Sequence, residues 1–136
     1  MKMIEVAMRN IVLAAPAVRA IVVDRAWFQV RPQDERRPGV VLTLVSSTPG
    51  HIYGGRAGYV TGRMQLTALA PSYPQAKQLA AACRKVLDGY SGTNDGTVIN
   101  YIEADSLRDV PALPLAGAAT PATYGVAIDA RFMHKE

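Results

Sequence analysis

One cysteine and two histidines are all that 136 residues contain of the thiol and imidazole side chains that most often hold transition metals. Cys83 alone excludes an internal disulfide and every cysteine-based zinc motif. Neither His51 nor His134 has a Cys, His, Asp or Glu at ligand spacing, so neither a metal nor another cofactor is expected. The sequence also has no long apolar run. Its longest uncharged stretch, Val110 to Ile128, is broken by Pro111, Pro114 and Pro121 and reads as a loop leading into a strand rather than a membrane span. At the N-terminus Lys2 precedes apolar residues, but Glu5 and Arg9 interrupt them at helical spacing. No export signal is read there, and a reducing cytoplasm is the expected compartment.

A strong charge imbalance is missing too. Lys and Arg number 15 against 11 Asp and Glu, a net charge of +4. The arginines are scattered, and the densest pairs are Arg36-Arg37 and Arg84-Lys85. Duplex nucleic acid is usually met by a dense basic stripe or a recognisable module, so no specific nucleic-acid binding is expected and the charges read as solvated surface. An α+β nucleic-acid-binding module is the alternative to a protein-assembly role, and salt-dependent binding to duplex or single strands would distinguish the two.

What is present is an ordinary globular composition, with 49% hydrophobic and 19% charged residues, in a chain of single-domain length spanning 1–136. Ile4, Met8, Ile11, Val12 and Ala15 fall on one helical face over Met3 to Ala15. Pro16 interrupts that helix, leaving room for one more short turn over Ala17 to Val23. Ala26 to Arg31 alternates as a strand with Phe28 and Val30 inward, and Pro32 to Gly39 is an exposed connection. Val40 to Ser46 is a central strand, and the glycines from Ser47 to Gly58 predict a long, mobile hairpin loop. Tyr59 to Ala70 then alternates Val60, Met64, Leu66 and Ala68 against Thr61, Arg63, Gln65 and Thr67.

Ser72-Tyr73-Pro74-Gln75 has the spacing of a capping box, opening a helix whose apolar face is Ala76, Leu79, Ala80, Cys83, Val86 and Leu87, with Gly89 at its left-handed end. Asn94-Asp95-Gly96 turns into a strand over Thr97 to Glu103. Asp105 to Ala122 reads as a Pro/Ala-rich loop. Thr123 to Met133 closes the chain as a strand with Tyr124, Val126, Ile128, Ala130 and Phe132 inward and Asp129 and Arg131 outward. The expected fold is α+β, in the order α-β-β-β-α-β-β, with a mainly antiparallel sheet and two helices packed on one face.

No arrangement in this chain reads as catalytic. Gly54-Gly55-Arg56-Ala57-Gly58 lacks the Gly-Lys-Ser/Thr ending of a phosphate loop and leads into a strand. Glu103, Asp105 and Asp109 flank a loop and are not expected to converge as an acid/base pair.

Four stretches resemble the phage tail-completion, or tail terminator, family. They are the first helix with Ala14-Ala15-Pro16-Ala17-Val18 and Val23-Asp24-Arg25; Arg37-Pro38-Gly39-Val40-Val41; Gln65-Leu66 through Tyr73-Pro74-Gln75-Ala76 and Leu79 to Val86-Leu87-Asp88-Gly89-Tyr90; and Thr123 to Met133. The resemblance implies a structural virion-tail protein, assembled in the host cytoplasm, with no catalytic residues. It would form a homo-oligomeric ring, commonly six-fold, on the tail tube protein, stop tube growth and face the head-tail connector protein. Independently, a ring needs two unlike patches that meet. The outward Arg63 and Gln65 on one strand and Asp129 and Arg131 on another are candidates for opposite sides of a subunit boundary. His51, Tyr53 and Arg56 in the glycine-rich loop are candidates for a subunit or tail contact.

Overall fold

The structure is a computed structural model that describes residues 3–32, 35, 37–114 and 121–136, with only the backbone described at 111–114 and 121–122. Its elements are α1 (Ile4–Ala14), α2 (Pro16–Val22), β1 (Ala26–Phe28), β2 (Gly39–Ile52), β3 (Gly55–Ala70), α3 (Tyr73–Leu87), β4 (Gly92–Asn94), β5 (Thr97–Pro114) and β6 (Pro121–Lys135). The six strands form one half-barrel sheet in the order β1-β2-β3-β6-β5-β4. All neighbours are antiparallel except β1, which lies parallel to β2, so the sheet is mixed.

The apolar stripes of the sequence build the core. Ile4, Met8, Ile11 and Val12 of α1, Leu79, Cys83 and Leu87 of α3, and Met64, Leu66, Ile102, Ile128 and Phe132 of the sheet form one buried cluster. Each fully buried Leu or Ile contributes roughly 1.5–3 kcal/mol by leaving water. The helices number three rather than two, because the turn after Pro16 becomes the seven-residue α2, whose Val18 and Val22 join the core.

Four expectations are corrected. The β1 strand ends at Phe28, because Gln29 takes a positive φ of 65° and Val30 N–H bonds back to the Phe28 carbonyl. Phe28 and Val30 are therefore exposed, and Ala26 is the buried residue of that strand. Ser72 does not cap α3 with its hydroxyl. Pro74 is one of the two positions whose amide a cap would reach, and it has no N–H to donate. Ser47 to Gly58 is no loose loop but the continuation of a ladder, with His51 opposite Arg56 and Ile52 opposite Gly55 around a two-residue turn at Tyr53-Gly54. Gly54, at φ 91°, provides the reversal, and Gly50 lets the Tyr59 ring lie where a Cβ would fall 2.5 Å from it.

The stretch from Asp105 is likewise extended: β5 runs to Pro114 and β6 starts at Pro121. Prolines are compatible with this because β5 has β6 on one side and, beyond its short pairing with β4, no strand on the other among the described residues. The part of that expected loop at 115–120 lies outside the described residues.

Where α3 ends, polar groups rather than packing alone hold it to the sheet. Gly89, at φ 81°, donates its N–H to the Ile102 carbonyl, Asp88 Oδ1 accepts from Ala104 N–H, and Arg84 Nε donates to the Ala104 carbonyl at 2.9 Å. Other arginines do similar work. Arg9 donates to the Ala26 carbonyl at 2.9 Å and Arg25 to the Pro38 carbonyl at 2.7 Å, so these charges tie junctions instead of lying free in solvent.

Candidate functional site

The helices cover one face of the sheet and leave the other open. Alternation puts Arg63, Gln65 and Thr67 of β3, Asp129 and Arg131 of β6, and Glu103, Ser106 and Arg108 of β5 on that open face. The register sets Gln65 opposite Asp129 and Arg63 opposite Arg131, so the four candidates on β3 and β6 sit side by side. They belong to one patch, and the expectation that they flank opposite sides of a boundary is corrected by this pairing.

Within the patch Asp129 is the hub. Its carboxylate lies 3.6 Å from Arg108 and 3.9 Å from Arg63 and accepts from Ser106 Oγ at 3.4 Å. Arg108 also donates to Gln65 Oε1 at 2.6 Å, and Gln65 Nε2 donates to Thr67 Oγ1 at 3.2 Å. Arg131 is bonded to Asp105 and lies 4.0 Å from Glu103. The hydrogen bond from Arg131 holds the Asp105 carboxyl below the usual carboxylate range and raises Arg131 in return. Three guanidinium groups thus face three carboxylates. Arg108 escaped the sequence reading, which took its segment for loop, and Glu103 and Asp105, which were not expected to converge, meet at Arg131. Asp109 points elsewhere and accepts from the Tyr73 hydroxyl at 3.0 Å.

Two further features complete this face. The β2–β3 hairpin runs past the end of β6, which pairs with β3 only as far as Tyr59. His51, Tyr53 and Arg56 all lie on that arm. Tyr53 is wholly exposed and Ile52 is 63% exposed, while Arg56 is bonded to Glu136 at 2.5 Å. At the other end of the sheet is an open concavity of about 470 Å³ lined by Val30, Arg31, Val41, Leu69, Val110 and Gly125 among others. The sequence contains no local signal for it, since its lining comes from five separate segments. Arg56 and its glycines open β3 and no helix follows them, so they do not form a phosphate cradle. Among the described residues no three His, Cys, Asp or Glu side chains are grouped as a metal site, and no helix is long and apolar enough to cross a membrane.

A helix-backed sheet with one open, ion-paired face and a projecting arm defines the class: an α+β domain that offers surfaces. The chain belongs to the tail completion protein gp17 family, whose match runs over residues 6–112 and stops short of β6. Among solved structures it is similar to a chain in the virion of a native gene transfer agent particle, 12% identical, with a TM-score of 0.70 over 97% of this chain and 94% of that one. A second solved chain, also 12% identical, aligns at a TM-score of 0.58 over 99% of this chain and 98% of its own. At that identity the likeness is one of fold. No curated protein matches the sequence.

Proposed function

We propose that this protein is a structural tail terminator in a virion tail, one that forms a homo-oligomeric ring on the end of the tail tube, stops its polymerisation and offers the surface to which the head connector joins. The observation that carries this reading is membership of the tail-completion family over 107 residues, from 6 to 112. The virion chain with the same fold supports it. A ring of six copies, assembled in the host cytoplasm, is the form we expect, and no catalytic step is part of the role.

The geometry fits such a task. A ring needs two unlike patches on each subunit, and this chain has a projecting arm at one end and, away from it, an ion-paired sheet face that shares Gln65 and Thr67 with the concavity. Arg63, Gln65, Asp129 and Arg131 are the candidates on the face, and His51, Tyr53 and Arg56 those on the arm. The nucleic-acid alternative is less well supported, because the arginines of the open face are matched by carboxylates and leave no net positive stripe there.

Deleting the gene from its parent particle tests the role. Electron microscopy of the lysate is expected to show DNA-filled heads and separate tails of uncontrolled length. Normal-length tails attached to heads would refute it.

A further inference from the structure

The concavity and the arm lie at opposite ends of the same strand. Val41 is on the floor of the hollow and Tyr53 is at the tip of the hairpin, twelve residues along, or roughly 40 Å at about 3.3 Å per residue. They cannot meet within one chain. The hollow is mainly apolar, and Gly125 lets Val110 and Leu69 close over β6 in its wall, since a Cβ there would fall 2.3 Å from a Val110 methyl carbon and 3.2 Å from one of Leu69. Arg31 on its rim donates from Nη1 to Thr123 Oγ1 at 2.9 Å and from Nη2 to the Arg37 carbonyl at 3.2 Å, both neutral acceptors, and each Nη carries a second N–H. A guanidinium with donors to spare at the mouth of an apolar hollow suits an acceptor that enters with an apolar body. At the other end, Tyr53 exposes its whole ring, and Ile52 beside it is 63% exposed. Two adjacent large apolar side chains at the tip of an arm mark a contact surface.

We propose that Tyr53 of one subunit inserts into the concavity of a neighbouring copy, its ring against Val41 and Leu69 and its hydroxyl oxygen accepting from one of the Arg31 Nη groups at the rim. The contact rests on the ring reading above and specifies how the ring closes. Its two halves are unlike and lie at opposite ends of the subunit, which is the arrangement a head-to-tail closed ring requires. A tyrosine whose ring fills an apolar hollow and whose hydroxyl finds a partner is the kind of anchor on which interface energy concentrates. Charge does not oppose the approach, because Arg56 on the arm is already met by Glu136.

The test places the photo-cross-linking amino acid p-benzoylphenylalanine at position 53 of the full chain. The irradiated sample is imaged by negative-stain electron microscopy and its cross-linked peptides are mapped. Cross-links to residues 41–43 or 67–69 of another copy are expected. In parallel, Tyr53→Ser should raise the concentration of half-assembly about 30-fold with an unchanged circular dichroism spectrum, and Tyr53→Phe, which keeps the ring, only about threefold. Rings with cross-links elsewhere, or rings from Tyr53→Ser at wild-type concentration, overturn the contact and leave the ring standing. A cross-link to the concavity without closed rings keeps the contact and removes the ring. Neither rings nor cross-links between copies overturns both.

Discussion

Cys83 has no exposed surface, and burial pushes its thiol up to about 12 from an ordinary 9.0. In the folded protein it therefore stays protonated and out of reach, so a thiol reagent at pH 8 should label it only through unfolding, at least about a hundredfold more slowly than a free cysteine. Labelling at the rate of an exposed thiol would show that α3 is turned the other way. The same shift has a pH consequence. The folded value lies above the unfolded one, so the thiol's contribution to stability is whole below about pH 9 and is lost as pH rises from there through 12. Gly62 is a second residue whose role is steric. A Cβ there would lie 2.2 Å from the Ser46 carbonyl oxygen and 2.7 Å from the Phe132 ring, backbone on one side and a fully buried side chain on the other. Gly62→Ala is expected to destabilise by about 2 kcal/mol, read as a lower urea midpoint at unchanged m-value.

Among the elements, the β2–β3 hairpin is the most separable. Its outer part, Pro49 to Gly58, contributes none of the residues of the buried core cluster, and its tip is solvent-exposed. Replacing His51–Gly58 by a two-residue Asn-Gly turn should leave the far-ultraviolet circular dichroism of the fold intact and move the melting temperature by only a few degrees, while abolishing assembly. Loss of the fold would show that the arm supports the sheet. The helices are the opposite case. Both α1 and α3 bury whole faces, and the periodicity that announces them in the sequence is the same periodicity that buries them. Strand β6 was legible for a similar reason, because Val126, Ile128, Ala130 and Phe132 alternate inward as the pattern implies. The arm and the second half of β5 were not. Glycine and proline mark turns when they stand alone, yet in an edge strand or a hairpin they are tolerated by a ladder that forms across the chain and not along it.

For the molecule as a whole, assembly is the role proposed for the open face. Arg63 is half-exposed at 3.9 Å from Asp129, so Arg63→Glu should cost the fold less than about 1 kcal/mol. Asp129→Arg is the harsher change, since it removes the acid that Arg63 and Arg108 share and puts another cation between them. If the face is an interface, both variants lower ring yield in light scattering, and Asp129→Arg also lowers the melting temperature. Rings that persist in both at physiological salt would refute the face while leaving tail completion standing.

The sequence by itself determined the α+β class, the faces of α1 and α3, the inward residues of β3 and β6, the left-handed end at Gly89 and the family, because each is written in local spacing or in the order of short motifs. Only the tertiary structure decided the parallel seating of β1, the extension of the arm, the pairing that sets Arg63 beside Asp129 and the concavity around Arg31. These depend on which strands become neighbours, and hydrogen bonds between residues tens of positions apart set that choice without leaving a local pattern.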